Sequence, residues 1–202
     1  MLKKFIPGEI LCDMFAGVGP LSIRAAKIGC KVIANDLNPA CYKYLVQNAQ
    51  SNKVSNRIHA YNLDAREFMR DFLKTPRAAL EVLDPLSSPP FEVLPARFSK
   101  AYMNLPMDAL EFLDVFIGNF NPEIWTEETL PTIFVYTFAP DEGYHELIMK
   151  RLHSVLGDFE DSIMTIRHVR SVSPHKEMYC VEFKLPGHIA FCDYISKKLR
   201  SE

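Results

Sequence analysis

Several features that define common protein classes are missing from this sequence of 202 residues. Its five cysteines are an odd number and include no Cys-x-x-Cys pair, and its six histidines show no metal-ligand spacing. We therefore expect reduced thiols rather than a disulfide framework or a zinc site. No apolar run approaches the roughly 18 residues that a membrane-spanning helix needs. These absences predict a protein without a bound metal and without a membrane span.

Charge of either sign is not in excess. The chain has 23 lysines and arginines against 25 aspartates and glutamates, a formal net charge of −2. Proteins that bind nucleic acid by charge alone need a positive excess, so that class is excluded. The composition is typical of one compact domain over residues 1–202, which we expect to be monomeric. The first four residues lack the apolar segment of a signal peptide, which favours the cytoplasm, with nucleus and mitochondrial matrix as alternatives.

The segment Asp13–Pro20 is the most informative motif that the sequence contains. It follows residues 10–12, an apolar run that predicts a buried strand, and precedes residues 21–27, whose spacing predicts a helix. Glycines at 17 and 19 let the backbone approach a ligand, as in the first strand–turn–helix unit of a nucleotide-binding sheet. No lysine follows the glycines, so a P-loop is excluded.

Residues within and after this turn narrow the ligand. Pro20 removes one N–H that would otherwise meet a phosphate, and Ser22 stands where a dinucleotide fingerprint has Gly or Ala. A nucleoside-like ligand without a pyrophosphate is therefore favoured, and an NAD dehydrogenase is disfavoured. Phe15 offers an aromatic face that suits a sulfonium cation, although core filler is the usual role of such a ring.

An acidic residue closes the second predicted strand, residues 31–36. Asp36 lies 19 residues after Gly17, close to the offset of about 20 at which a carboxylate accepts the ribose hydroxyls of a nucleotide. Helix capping is the alternative role, but Asn38 before Pro39 fits it better. We therefore predict that Asp36 binds a ribose.

Two further polar residues stand at predicted strand ends. Asp64 precedes the helix that continues from Ala65, and it either caps that helix or accepts a hydrogen bond from an adenine amino group. Asn104 follows residues 99–103, and Pro106 stiffens the turn behind it. An asparagine presents a donor and an acceptor, which match a nucleobase edge, although a plain turn residue is the alternative.

The remaining pattern predicts an α/β fold. Helices are expected at residues 39–52, 64–73 and 142–156, apolar residues at helical spacing occur over 107–116, and strands are expected at 57–62, 132–138, 162–172 and 177–184. The last two strands are separated by Pro174 and predict a hairpin. The proline-rich segment 75–97 is predicted to be an irregular insertion.

Taken together, these motifs resemble one protein family. The resemblance is carried by residues 13–20, 35–39, 62–64, 104–106 with 112–113, and 169–170 through 176–178. The family is the eukaryotic and archaeal tRNA guanine-N1-methyltransferases, which modify the guanosine at position 37, beside the anticodon. The match runs in order over nearly the whole chain.

The resemblance implies fold, cofactor and site. The fold would be the Rossmann-like class I methyltransferase fold, a mostly parallel seven-stranded sheet with a C-terminal antiparallel hairpin. The cofactor would be S-adenosylmethionine and the substrate tRNA. Cofactor-binding roles are implied for Asp13, Phe15, Gly17, Gly19, Asp36, Leu37, Asn38, Asp64, Ala65 and Asn104. Catalytic roles are implied for Asn104, which would orient the guanine, and Pro106, and substrate-binding roles for Arg170 and Lys176.

One departure from the family affects catalysis. In the family, the glutamate proposed as general base lies upstream of the glycine turn, as does an arginine that holds the guanine. Here only about nine residues precede the first predicted strand, so neither residue has a counterpart. We therefore expect this chain to be the catalytic domain of a longer enzyme or a reduced relative of it, with the general base outside it and little methyl transfer by itself. The alternatives are an aminocarboxypropyl transferase of the wybutosine pathway, which shares fold and cofactor, and a catalytically incomplete cofactor-binding module.

Overall fold

The computed structural model describes residues 5–75, 96–157, 159–174 and 176–192. The chain divides into two compact units, Met1–Tyr102 and Met103–Glu202. Most of the predicted insertion at 75–97 lies outside the described residues. The expectation of a single domain stays a prediction.

The first unit alternates strands with helices. Its strands are β1 (Ile10–Asp13), β2 (Lys31–Asn35), β3 (Ile58–Tyr61) and β4 (Lys100–Met103), the last of which ends one residue beyond the unit. Its α-helices are α1 (Pro20–Ile28), α2 (Pro39–Ser51) and α3 (Ala65–Lys74), and a 3-10 turn covers Ser55–Arg57. Strand β1 pairs in parallel with β2 and β4, and β2 pairs in parallel with β3.

The local sequence explains why the first strand and helix form. Leu11 and Cys12 are fully buried, because a strand inside a parallel sheet is covered on both faces and therefore consists of apolar residues. Helix α1 begins at Pro20, whose fixed φ suits the first helical position, and ends at Ile28, where Gly29 caps it in the left-handed conformation.

The second unit contains an antiparallel sheet. Its strands are β5 (Thr132–Ala139), β6 (Ile163–Ser173) and β7 (Lys176–Lys184), its α-helices are α4 (Tyr144–Leu156) and α5 (Gly187–Ala190), and its 3-10 helices are Glu111–Phe116, Glu127–Thr129 and Glu160–Ser162. Strand β7 pairs antiparallel with both β5 and β6, and the pair Ser173–Lys176 closes the β6–β7 hairpin. The predicted hairpin is thus confirmed.

The seven strands have the order β3-β2-β1-β4-β5-β7-β6. This order confirms the predicted mostly parallel seven-stranded sheet with a C-terminal antiparallel hairpin. Within the first unit, Asp13 pairs with Ala34 and Asn35 pairs with Tyr61. The carboxyl ends of β1, β2 and β3 therefore meet at one edge, which is where parallel α/β sheets bind ligands.

The helical spacing noted over residues 107–116 corresponds to a helix only in part. A turn follows β4, and only Glu111–Phe116 is helical, as a 3-10 helix. The buried apolar residues Leu110, Leu113 and Phe116 recur every three residues, which is the period of a 3-10 helix rather than the 3.6 of an α-helix.

The α-helices of the described ranges are short. The longest of them, α2 and α4, have 13 residues each, and in these ranges no helix has the length and apolar character needed to cross a membrane.

Candidate functional site

The turn after β1 is fixed by backbone hydrogen bonds within the first unit. Met14 N donates to Tyr102 O of β4 at 3.0 Å, Ala16 N donates to Asn35 O of β2 at 2.9 Å, and Gly19 N closes the turn on Ala16 O at 2.9 Å. The turn is therefore bonded to both strands that flank β1, so its conformation depends on these strands as well as on its own hydrogen bond.

The two glycines of this turn serve different purposes. Both have positive φ, +56° at Gly17 and +89° at Gly19, a region that L-residues with a Cβ rarely enter. A Cβ on Gly17 would meet no atom within 4 Å, whereas a Cβ on Gly19 would lie 2.5 Å from Leu45 Cδ1. Gly19 thus allows α2 to pack closely, and Gly17 leaves open space beside the turn.

Asp36 and the glycine turn are in direct contact. Gly17 N donates to Asp36 Oδ2 at 2.7 Å, and Asn38 N donates to Asp36 Oδ1 at 2.9 Å. Each carboxylate oxygen retains capacity to accept a further hydrogen bond. Asn38 caps α2 by accepting from Ala40 N at 2.9 Å, as the sequence predicted. The predicted ribose acceptor is therefore held in place from both sides.

Two asparagines that the sequence analysis did not assign hold the ends of β2 and β3 together. The buried Asn35 side chain donates to Leu63 O and accepts from Leu63 N, both at 3.0 Å. Asn62 Nδ2 donates to the carbonyl oxygens of Asp36 at 2.7 Å and of Leu37 at 3.0 Å. Both could have been recognised in the sequence, because each asparagine directly ends or follows an apolar strand and lies next to a predicted ligand-binding segment.

Asp13 contributes a buried carboxyl group to the same edge of the sheet. Its side chain is 2% exposed, and Ser22 Oγ donates to Asp13 Oδ2 at 2.6 Å. Burial raises the pKa of Asp13 from 3.8 to about 6; the Ser22 hydrogen bond opposes that rise and the charge of Asp36 adds to it. The Ser22 hydroxyl, at the position where a dinucleotide fingerprint has Gly or Ala, thus serves as a partner for an acid.

Asp64 does cap a helix. Its Oδ1 accepts from Arg66 N at 2.9 Å and from Glu67 N at 3.2 Å at the start of α3. Both bonds end on the same oxygen, so an additional role toward an adenine amino group stays a prediction. Ala65 is buried as the first residue of α3.

The predicted apolar contacts differ in exposure. Leu37 is 66% exposed between Asp36 and Asn38, and Phe15 is half-buried in the glycine turn. Leu37 is therefore accessible to a ligand. The cofactor-binding roles of Leu37 and Phe15 both stay predictions.

In the second unit, Asn104 is exposed and begins a loop that we call the Asn104 loop, residues 104–108. Leu105 O accepts from the backbone N–H groups of Asp108 and Ala109 at 3.0 and 2.8 Å, and Pro106 O accepts from Phe138 N of β5 at 3.2 Å. The loop is therefore joined to β5 through Pro106, in keeping with the stiff turn that the sequence predicted.

The two predicted substrate-binding residues lie in the β6–β7 hairpin. Arg170 is exposed on β6, and Lys176 begins β7. Lys176 Nζ lies 3.5 Å from Met107 Sδ and 4.4 Å from the centroid of the Phe138 ring. Lys176, but not Arg170, is thus shown in contact with the Asn104 loop.

The acidic side chains of the site do not form a metal centre. Among the residues that the structure describes, no group of three or more His, Cys, Asp or Glu side chains is arranged to hold a metal ion. None of the five cysteines, all of which lie in the described ranges, forms a disulfide bond.

Known proteins resemble this chain both in sequence and in fold. Residues 1–84 match the TRM5/TYW2 methyltransferase domain. A tRNA (guanine(37)-N(1))-methyltransferase from Xenopus tropicalis is 41% identical over 184 residues, which cover 91% of this chain and 35% of that protein. The chain thus spans about a third of the length of this relative.

Solved structures agree with the sequence comparison. Trm5b from Pyrococcus abyssi superposes with a TM-score of 0.63 at 27% identity, over 91% of this chain and 46% of that one. Methanocaldococcus jannaschii Trm5, solved in complex with adenosine, superposes with a TM-score of 0.61 at 25% identity, over 91% and 45%. The resemblance inferred from the motifs is therefore confirmed, by the domain match over residues 1–84 and by the similarity of the chain to tRNA (guanine(37)-N(1))-methyltransferases.

Proposed function

We propose that the first unit binds S-adenosylmethionine and that the chain takes part in methyl transfer to N1 of the guanosine at position 37 of tRNA. The observation that carries the proposal is the 2.7 Å hydrogen bond from Gly17 N to Asp36 Oδ2, because it fixes a carboxylate beside an open glycine turn at the carboxyl edge of the sheet. The name of the 41% identical relative supplies the reaction and the nucleotide.

The chemistry of the site fits this cofactor. The strand ends present carboxyl groups at Asp36 and Asp64, which accept hydrogen bonds from hydroxyl and amino groups and attract a cation, while the Asp13 carboxyl group lies buried at the same edge of the sheet. The same charges disfavour a pyrophosphate, and Pro20 provides no N–H to bind one. The space beside Gly17 leaves room for the ligand. Adenosine, bound by the archaeal relative, is the nucleoside part of S-adenosylmethionine.

The residues at the strand ends and in the Asn104 loop would bind different parts of the cofactor and the substrate. When bound, the cofactor supplies an electrophilic methyl group on a sulfonium. Asp36 accepts from the ribose hydroxyls, Leu37 packs against the adenine, and Asp64 accepts from its amino group. Asn104 orients the guanine with one donor and one acceptor, because productive methyl transfer requires alignment of the acceptor nitrogen.

Cofactor binding is tested by calorimetry with S-adenosylmethionine and with its demethylated product. Asp36→Asn removes the charge from hydrogen bonds worth about 1.5–3 kcal/mol, so affinity should fall roughly 10- to 100-fold. Glu146→Gln, at an exposed acid on α4, is the matched control. Equal affinity of Asp36→Asn and the unaltered chain would contradict the ribose assignment, and tight binding of NADH would contradict the ligand class.

Methyl transfer is tested with two differently labelled cofactors and two tRNA transcripts. One cofactor carries tritium in the methyl group and the other carries carbon-14 in the methionine chain; the transcripts have guanosine or adenosine at position 37. Because the chain spans 35% of its Xenopus relative, it is assayed alone and within its complete open reading frame. Methyl label on the guanosine transcript alone is expected. Methionine-chain label would identify an aminocarboxypropyl transferase instead, the alternative that shares fold and cofactor with the methyltransferases.

We further propose that Lys176 contacts the tRNA backbone. Its ammonium group is held beside the Asn104 loop by Met107 and the Phe138 ring. Loss of one phosphate contact lowers the slope of log affinity against log salt concentration by about 0.7–0.9. Lys176→Met should show that reduction in tRNA binding, whereas Lys150→Met, an exposed lysine of α4, should not. An unchanged slope would remove Lys176 from the interface.

A further inference from the structure

One guanidinium group of α4 binds three other parts of the second unit. Arg151 Nη1 donates to Thr137 Oγ1 of β5 at 3.0 Å. Arg151 Nη2 donates to Met107 O at 3.2 Å and to the Glu111 carboxylate, with Oε1 at 2.9 Å and Oε2 at 3.3 Å. The planar fork of an arginine suits this task, because its donors point in fixed directions.

These bonds complete the fixation of the Asn104 loop. The three carbonyl groups that follow Asn104 each accept from a donor: Leu105 O from the loop itself, Pro106 O from Phe138 N, and Met107 O from Arg151. Asn104 itself is exposed, so its own side chain contributes little to holding the loop. The direction of the Asn104 side chain therefore depends on the hydrogen bonds that hold residues 105–107.

The ion pair alone does not account for this arrangement. The side chains of Arg151 and Glu111 are 27% and 52% exposed, and an ion pair of that exposure contributes little to stability. Thr137, by contrast, is fully buried, and the Met107 carbonyl belongs to the Asn104 loop. The loop is thus held mainly by the hydrogen bonds from Arg151 to Thr137 and to Met107 O, which join a buried position of β5 to this loop.

We infer that Arg151 is a positioning residue for Asn104, and through it for recognition of the guanine base. The inference rests on the proposed function, in which Asn104 reads the guanine edge. Guanine and adenine present opposite donor and acceptor patterns there, so a correctly directed amide distinguishes them. A site built around such hydrogen bonds loses discrimination when its supports are loosened.

The test measures binding of anticodon stem-loops rather than turnover. The chain, saturated with S-adenosylhomocysteine, is titrated with stem-loops that carry guanosine or adenosine at position 37, and the ratio of the two affinities is the readout. Arg151→Lys and Arg151→Met should each reduce the preference for guanosine by about 5- to 10-fold, the loss of one hydrogen bond. Affinity for S-adenosylhomocysteine should stay the same. Lys150→Met, the neighbouring charge change, should keep the preference.

The outcomes separate this inference from the proposed function. Arg151→Lys retains the charge, and it is the deciding variant if Arg151→Met does not fold. If Arg151→Lys keeps the preference for guanosine, the inference is overturned but the proposed function is not. Equal binding of both stem-loops by the unaltered chain would overturn the proposed function and the inference with it. A loss of cofactor affinity that parallels the loss of preference would show a general structural role and also overturn the inference.

Discussion

Replacing Asp13 with asparagine is expected to stabilise the protein at neutral pH. Burial raises the pKa of Asp13 from 3.8 to about 6, so between these two values the native chain retains a proton that the unfolded chain has lost. The free energy of unfolding therefore falls as pH rises through this window, and the loss is complete above about pH 6. Each pKa unit corresponds to about 1.36 kcal/mol, so the loss amounts to about 3 kcal/mol.

Asp13→Asn removes this pH dependence while keeping an acceptor for Ser22 Oγ. Its free energy of unfolding should exceed that of the unaltered chain by an amount that grows between pH 4 and 6 to about 3 kcal/mol and then stays level. The assay is urea unfolding of both chains from pH 4 to 8, with the difference plotted against pH. A difference that does not change with pH would refute the reasoning.

Two companion variants examine the cause of the shift. Ser22→Ala removes the hydrogen bond that opposes the rise in the pKa of Asp13, so the midpoint of the pH dependence should move to higher pH. Asp36→Asn removes the negative charge that adds to the rise, so the midpoint should move to lower pH. If neither midpoint moves, burial alone sets the pKa.

Two further predictions concern stability. Gly17→Ala and Gly19→Ala both place a Cβ at positive φ, which costs about 1–2 kcal/mol, but only at Gly19 does the Cβ also meet Leu45. Thermal unfolding should show Gly19→Ala to be the more destabilising variant by roughly 1 kcal/mol or more. Equal losses of stability would show that the contact with Leu45 does not add to the cost. Asn35→Ala removes both hydrogen bonds to the Leu63 backbone and should cost about 2 kcal/mol in urea unfolding; a loss below about 0.5 kcal/mol would show that water replaces the amide.

Several features of the fold and site could be predicted from local sequence. Continuous apolar runs marked β1 and β2, because a strand covered on both faces has no polar side to show. The Pro39 and Asn38 pair marked the start of α2, since a cap is a short-range hydrogen bond between neighbours in the chain. The helical spacing over 107–116 located the 3-10 helix Glu111–Phe116 but not its type, because apolar residues three apart share a face in both kinds of helix.

The succession of strands and helices, the glycine turn and the acids at strand ends can all be recognised from local sequence, because each depends on residues close together in the chain. How those acids are used depends on contacts between distant parts of the chain. The contact between Gly17 and Asp36 joins residues 19 apart, and the bond from Arg151 to Met107 joins residues 44 apart. Burial likewise gives Asp13 its raised pKa. These properties arise where separate elements pack together, and packing depends on distances in space that residue spacing does not encode.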